Sequence, residues 1–96
     1  MKLIIDNKVK SELKALYLFI KKDSPQNAEN VKNKIIDSFK DLVKNPEMYP
    51  LDKYRTKNDG HYRAYEMYKY RISYYENNIE IRILRIRHTK MNPLMY

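Results

Sequence analysis

The sequence contains no cysteine and a single glycine, Gly60, and these scarcities exclude several kinds of site and chain. Without cysteine the chain cannot form disulfides, thiolate metal sites or a cysteine nucleophile. One glycine and four prolines in 96 residues argue against a disordered chain. The first ten residues hold only a three-residue apolar run, which is too short for a signal peptide or a membrane span. We therefore expect a cytoplasmic protein with no membrane contact.

Histidine is also scarce, with His61 and His88 alone. Neither has carboxylate neighbours at the spacing of metal ligands, so we expect no metal site and no cofactor. The length supports one domain, spanning residues 1–96.

The net charge of +8 is unevenly spread. Residues 1–52 carry ten lysines against eight acids, whereas residues 53–96 carry four lysines and all six arginines against four acids. Because arginine offers a planar fork for anions and stacks on aromatic rings, this half suggests a polyanion or an acidic partner. A solvated basic sheet face is the alternative. Ten tyrosines accompany the arginines, and we assign most of them to strand pairing and the core.

The C-terminal third is expected to form an antiparallel meander whose last two strands are Tyr68–Glu76 and Ile79–Arg87. A two-residue turn at Asn77-Asn78 would set their register. The pairs expected from that turn are Tyr74 with Ile81, Ile72 with Ile83, Tyr70 with Arg85 and Tyr68 with Arg87. The adjacent Ile83-Leu84 breaks strict alternation, so either the last strand is central and covered on both faces, or a bulge lies near Leu84.

Two helices are expected before the meander. An apolar stripe at Val9, Leu13, Leu16 and Ile20 marks the first, after a short strand at Leu3–Ile5. Ser24-Pro25 predicts the start of the second, which Asn45-Pro46 ends near Lys44. The fold class is thus α+β, in the order β-α-α-β-β-β, with a helical hairpin on one face of a small antiparallel sheet.

That order, with its particular residues, resembles the RelE/ParE superfamily of toxins from type II toxin–antitoxin systems. The matching pieces are SPQNAENVKNKI at the second helix, DLVKNPEMYP at its end, Arg63 ahead of YKYRISYY, and the ending IEIRILRIRHTKMNP. The resemblance implies a toxin of the plasmid-stabilisation type, neutralised by a cognate antitoxin in a hetero-oligomer. The R-H ending favours the ParE-like branch, whose members act on DNA gyrase. The alternative is a RelE-like ribosome-dependent mRNA endoribonuclease.

The candidate site residues follow from these two alternatives. A nuclease would use Arg63, Arg85, Arg87, His88 and Tyr96. Arg63 either grips phosphate or pairs with an acid; His88 is a general acid/base or caps the strand end through a backbone hydrogen bond, which we favour. For Tyr96 we favour a frayed terminus over a role at the ribose 2′-OH. Candidates for binding nucleic acid or a partner are Lys53, Arg55, Arg63, Lys69, Arg71, Arg85, Arg87, His88 and Lys90.

Overall fold

A computed structural model describes residues 1–91 and 95–96, and its elements follow the predicted order. They are β1 (Lys2–Ile5), α1 (Asn7–Lys21), α2 (Pro25–Lys44), β2 (Tyr62–Met67), β3 (Tyr70–Glu76) and β4 (Glu80–His88). The α+β class and the helical hairpin against one sheet are confirmed. Among the described residues, no helix combines the length and the apolar content that crossing a membrane requires.

The second helix begins and ends where the sequence predicts. Ser24 is the N-cap, and its hydroxyl accepts a hydrogen bond from the Asn27 N–H at 3.1 Å, which satisfies one of the free donors of the first turn. Pro25 follows at the first helical position, where its missing N–H costs nothing. Asn45 leaves helical geometry ahead of Pro46.

The sheet is mixed rather than wholly antiparallel, with the strand order β1-β4-β3-β2. β1 runs parallel to β4, from Lys2 opposite Glu80 to Ile5 opposite Ile83. The chain leaves β1 through two helices instead of a tight turn, so nothing forces an antiparallel return. β4 is therefore the central strand over its first half, and its second half, beyond Ile83, has no strand on the β1 side among the described residues.

A two-residue turn at Tyr68-Lys69 joins β2 to β3. Both residues have positive φ, 53° and 68°, as this type of hairpin turn requires, and β3 begins only at Tyr70. The expected start of this strand at Tyr68 is wrong. Tyrosine and lysine are unusual at positive φ, so these residue types do not indicate a turn of this kind.

The predicted β3–β4 register is wrong by two residues as far as Ile83 and by three residues beyond Leu84. The Asn77 side-chain oxygen accepts hydrogen bonds from the N–H groups of Ile79 and Glu80, both at 2.8 Å, which forms a wider loop than the expected turn. The observed pairs are Glu76 with Ile81, Tyr74 with Ile83, Ser73 with Arg85, Ile72 with Ile86, Arg71 with Arg87 and Tyr70 with His88. Leu84 is skipped between two of these pairs, so of the two alternatives for this strand the structure shows the bulge.

The core lies between the helical hairpin and one face of the sheet. Its fully buried members come from α1, α2, β3 and β4: Val9, Ile35, Phe39, Leu42, Ile72, Tyr74, Ile81 and Ile83. The buried tyrosines place their hydroxyls on polar partners, since Tyr74 donates to the Pro46 carbonyl at 2.8 Å and Tyr65 lies 2.7 Å from the Ser38 hydroxyl. The connector between α2 and β2, together with Tyr96, packs against the opposite face of the sheet.

Candidate functional site: a basic cleft on the open face of the sheet

A cleft of about 350 Å³ opens on the sheet face that points away from the core. Because side chains alternate along a strand, Arg71 and Ser73 project into the cleft while Ile72 and Tyr74 enter the core. The cleft is lined by Asp6, Lys8, Asp52, Tyr54, Arg55, Tyr62, Glu66, Arg71, Ser73, Leu84, Arg85, Arg87, His88, Thr89, Met91 and Tyr96. We call this surface the basic cleft.

A buried carboxylate, Asp52, organises the wall of the basic cleft. Its side chain is 1% exposed, and Oδ1 accepts hydrogen bonds from Arg71 Nη2 at 2.8 Å and from the Tyr54 N–H at 3.0 Å. Oδ2 accepts from the Tyr96 hydroxyl at 2.5 Å. Burial alone would raise the pKa of Asp52, but these three donors outweigh it and hold the pKa below its usual value. Asp52 is therefore ionised, and both of its carboxylate oxygens accept hydrogen bonds.

Tyr96 is docked against the connector, and the expected frayed terminus is wrong. Its N–H donates to the Tyr54 carbonyl at 3.1 Å, and its own carbonyl accepts from the Thr56 N–H. The ring meets Tyr62 edge-on, with centroids 6.2 Å apart. Burial and the hydrogen bond to Asp52 both raise the pKa of Tyr96 well above its usual value, so the hydroxyl stays protonated.

Arg55 lies between two aromatic rings beside Asp52. Its guanidinium carbon is 3.8 Å from the centroid of Tyr62 and 5.0 Å from that of Tyr96, a cation–π arrangement that fixes the plane of the fork. The Nε atom is buried and has no hydrogen-bond partner within the described residues. Arg71 stacks in the same way on Tyr54, at 4.7 Å.

Arg85 is held at the rim of the basic cleft by an acid from α1. Its Nε donates to Glu12 Oε2 at 2.9 Å, and Glu12 Oε1 accepts from the Ile86 N–H at the same distance. That N–H lies on the half of β4 that β1 does not reach, so Glu12 takes the place of a neighbouring strand.

Arg63 lies outside the basic cleft, on the helix side of the sheet. Its Nε donates to Glu76 at 3.3 Å and its Nη1 to the Tyr49 carbonyl at 2.8 Å, with the side chain 15% exposed. His61 Nδ1 contacts the same carboxylate at 3.0 Å. Arg63 thus joins the connector to the sheet, and the structure does not bring it together with Arg85, Arg87 or Tyr96.

His88 makes the backbone contact that we favoured. Its Nδ1 accepts a hydrogen bond from the Lys90 N–H at 3.0 Å, and its ring packs edge-on against Tyr70, with centroids 5.2 Å apart. The strand-end cap is confirmed. The ring also borders the basic cleft beside Arg87.

The candidate lysines do not line the basic cleft. Lys53, Lys69 and Lys90 are exposed, and Lys53 Nζ lies 5.2 Å from the Tyr54 ring centroid. Within residues 1–91 and 95–96, no three His, Asp or Glu side chains gather as they would around a metal ion. Sequence reasoning missed Asp52, Tyr54 and Tyr62, whose roles come from partners far away along the chain.

The comparisons with known proteins agree with this architecture. A sequence model described as "ParE toxin of type II toxin-antitoxin system, parDE" matches residues 3–93. The chain belongs to the ParE toxin family. The predicted RelE/ParE membership is confirmed.

A solved structure titled "Chromosomal ParDE TA system from P. aeruginosa" shares the fold of this ParE-family chain. Its TM-score is 0.73 at 22% identity, covering 94% of this chain and 97% of that one. No curated protein matches the sequence significantly. The solved structure supports the fold, a mixed sheet with its helical hairpin.

Proposed function

We propose that this ParE-family chain is a cytoplasmic toxin of the plasmid-stabilisation type that inhibits DNA gyrase by binding it, without cutting a substrate. We further propose that a cognate antitoxin neutralises it by placing an acidic segment in the basic cleft. The observation that carries the proposal is that four of the six arginines already pair with carboxylates of the same chain. Arg63, Arg71, Arg82 and Arg85 each form an ion pair within the chain.

An RNA-cleaving site needs cations that are open to a phosphate and stabilise its developing charge. Here Asp52 already accepts from Arg71, and Glu12 already accepts from Arg85, so a phosphate would have to displace a carboxylate at each position. Breaking such a pair leaves a charge without its partner, which is costly when the pair is partly buried. The arrangement favours protein recognition over phosphoryl transfer.

A nuclease of this kind also needs a group that takes the proton of the attacking 2′-OH. The groups in the basic cleft that could take this proton are poorly suited to that task. The Tyr96 hydroxyl has a raised pKa and donates its proton to Asp52, while Asp52 has a lowered pKa and no spare basicity. His88 uses Nδ1 for the backbone of Lys90. These properties support a non-catalytic toxin.

The chemistry of the basic cleft suits an acidic peptide. Arg55 and Arg87 border it together with the apolar side chains of Leu84 and Met91. Carboxylates from a partner would extend the acid–arginine pairs already present, and apolar anchors would cover the exposed rims. An antitoxin whose toxin-contacting segment is basic would contradict this part of the proposal.

The test compares two activities of one purified preparation. In a gyrase supercoiling assay, the toxin should inhibit the enzyme, and stoichiometric antitoxin should restore it. In reconstituted translation, primer extension should show intact message. A Tyr96→Phe variant, which removes only the hydroxyl, should inhibit gyrase as the wild type does. Ribosome-dependent cuts that disappear in Tyr96→Phe would instead establish the endoribonuclease.

A further inference from the structure

The side of α1 that faces solvent carries apolar residues that the fold does not use. The apolar residues Ala15, Leu18 and Phe19, together with Lys22 at the C-cap, follow the spacing i, i+3, i+4 and i+7 and form what we call the outer face. Leu18 is 48% exposed and Phe19 is 63% exposed. The core stripe of the same helix, Val9, Leu13, Leu16 and Ile20, lies on its other side. α1 is therefore apolar on two sides, and the described part of the chain covers only one of them.

The charges around the outer face are almost all positive. The lysines on and beside α1 are Lys8, Lys10, Lys14, Lys21 and Lys22. None of these lysines forms an ion pair with another of the described residues. The acid of this helix, Glu12, is engaged with Arg85. A second copy of the chain would bring like charges together, so the outer face is suited to an acidic partner.

We propose that the outer face of α1 is the surface with which the toxin contacts its protein target, and that Phe19 is its central anchor. The complementary surface would be an apolar recess bordered by Asp and Glu side chains. An aromatic anchor at the centre of an interface, desolvated by the contacts around it and enclosed by a polar rim, is the arrangement that concentrates binding energy at protein interfaces. This inference rests on the proposed function in one respect, that the target is a protein.

The position of the outer face also explains how an antitoxin would block it. Lys8, Glu12, Ala15 and Phe19 lie along one side of α1, spaced i, i+4, i+7 and i+11. Lys8 lines the basic cleft, and Glu12 reaches its rim at Arg85. A segment that fills the basic cleft therefore lies beside the outer face, and antitoxin and target compete for neighbouring parts of one surface.

The experiment uses the double variant Leu18→Ala/Phe19→Ala. Alanine has the highest helix propensity, and both side chains are exposed, so the fold is retained. The matched control is Ile79→Ala, which truncates an apolar side chain that is 72% exposed in the β3–β4 loop. We expect the double variant to bind purified gyrase at least tenfold more weakly, to lose growth arrest in cells, and to keep its affinity for the antitoxin. The control should behave as the wild type does.

A second variant tests the charges of the same surface. Lys14→Glu/Lys22→Glu should weaken gyrase binding and reduce its dependence on salt concentration, since fewer ion pairs remain to be screened. Binding and growth arrest at wild-type level in both variants would overturn the proposal, as would a wild-type chain that arrests nothing. A wild-type chain that arrests growth without binding gyrase would refute the gyrase target alone. In that case the double variant decides the role of the outer face: lost growth arrest supports it, and growth arrest at the wild-type level refutes it.

Discussion

The hydroxyl of Tyr96 donates a hydrogen bond of 2.5 Å to the buried carboxylate of Asp52, 44 residues earlier in the chain. Through this contact the last residue of the chain closes one wall of the basic cleft. It also brings the Tyr96 ring against Arg55. The wall is thus built from the connector, β3 and Tyr96 together.

Tyr96→Phe tests this contact. The change removes one of three donors to Asp52, and a hydrogen bond to a charged group is worth about 1.5–3 kcal/mol. Because Arg71 and the Tyr54 N–H remain, we expect a loss of about 1–2 kcal/mol of unfolding free energy in urea. The matched control is Tyr68→Phe at an exposed turn, which should change the stability by less than about 0.5 kcal/mol.

The pH dependence of stability tests the ionised state of Asp52. Its folded-state pKa is lowered, so the stabilisation is fully present above the unfolded pKa of about 3.9 and is lost as the pH falls through the folded pKa. Denaturation of wild type and Asp52→Asn should therefore differ most near neutral pH and converge in acid. A difference that stays constant from pH 7 to pH 2.5 would contradict an ionised Asp52.

The buried tyrosines should ionise late in alkali. Burial raises the pKa of Tyr65, Tyr70 and Tyr96, and it raises the pKa of Tyr74 to about 12. Unfolded tyrosines titrate near 10, so stability is fully present below about pH 10 and falls as the pH rises above it. Tyrosinate absorbance should show an early group and a late group, and Tyr96→Phe should remove one member of the late group. A single titration step with the fold intact would contradict this packing.

Glu12 should stabilise the open half of β4. In Glu12→Ala the Ile86 N–H and Arg85 both lose their acceptor, which we expect to cost about 1–3 kcal/mol of unfolding free energy. Glu12→Gln keeps an acceptor for the N–H and should recover part of that loss. Hydrogen exchange of the Ile86 amide should accelerate in the alanine variant. The control, Glu29→Ala, removes an exposed pair with Lys32 and should have little effect.

A feature could be predicted from the sequence when the residues that cause it lie close to it along the chain. α2 was predictable because Ser24-Pro25 and Asn45-Pro46 act within a few residues of the helix ends. The β3–β4 register was not, because the Asn77 side chain accepts from the Ile79 and Glu80 N–H groups and forms a wider loop than a two-residue turn, and Leu84 is then skipped in the pairing. The loop sets the pairing of every residue that follows it in β4.

The candidate site was less predictable than the fold. The register expected from the sequence puts Arg85 and Arg87 beside Tyr70 and Tyr68, on the opposite face from Arg71, and this is wrong. In the structure Arg85 pairs with Ser73 and Arg87 with Arg71, so all three arginines line one cleft. Asp52 gave no local signal, because its partners Arg71 and Tyr96 lie 19 and 44 residues away. An acid in a polar connector looks like any solvated side chain until the tertiary fold buries it.

The measurement that tests the proposed function most directly is the supercoiling activity of purified DNA gyrase titrated with the purified toxin. We predict that inhibition rises with toxin concentration, persists with Tyr96→Phe, and is reversed by one equivalent of antitoxin. Unchanged supercoiling at every toxin concentration, from a preparation that arrests growth in cells, would contradict the gyrase-directed function.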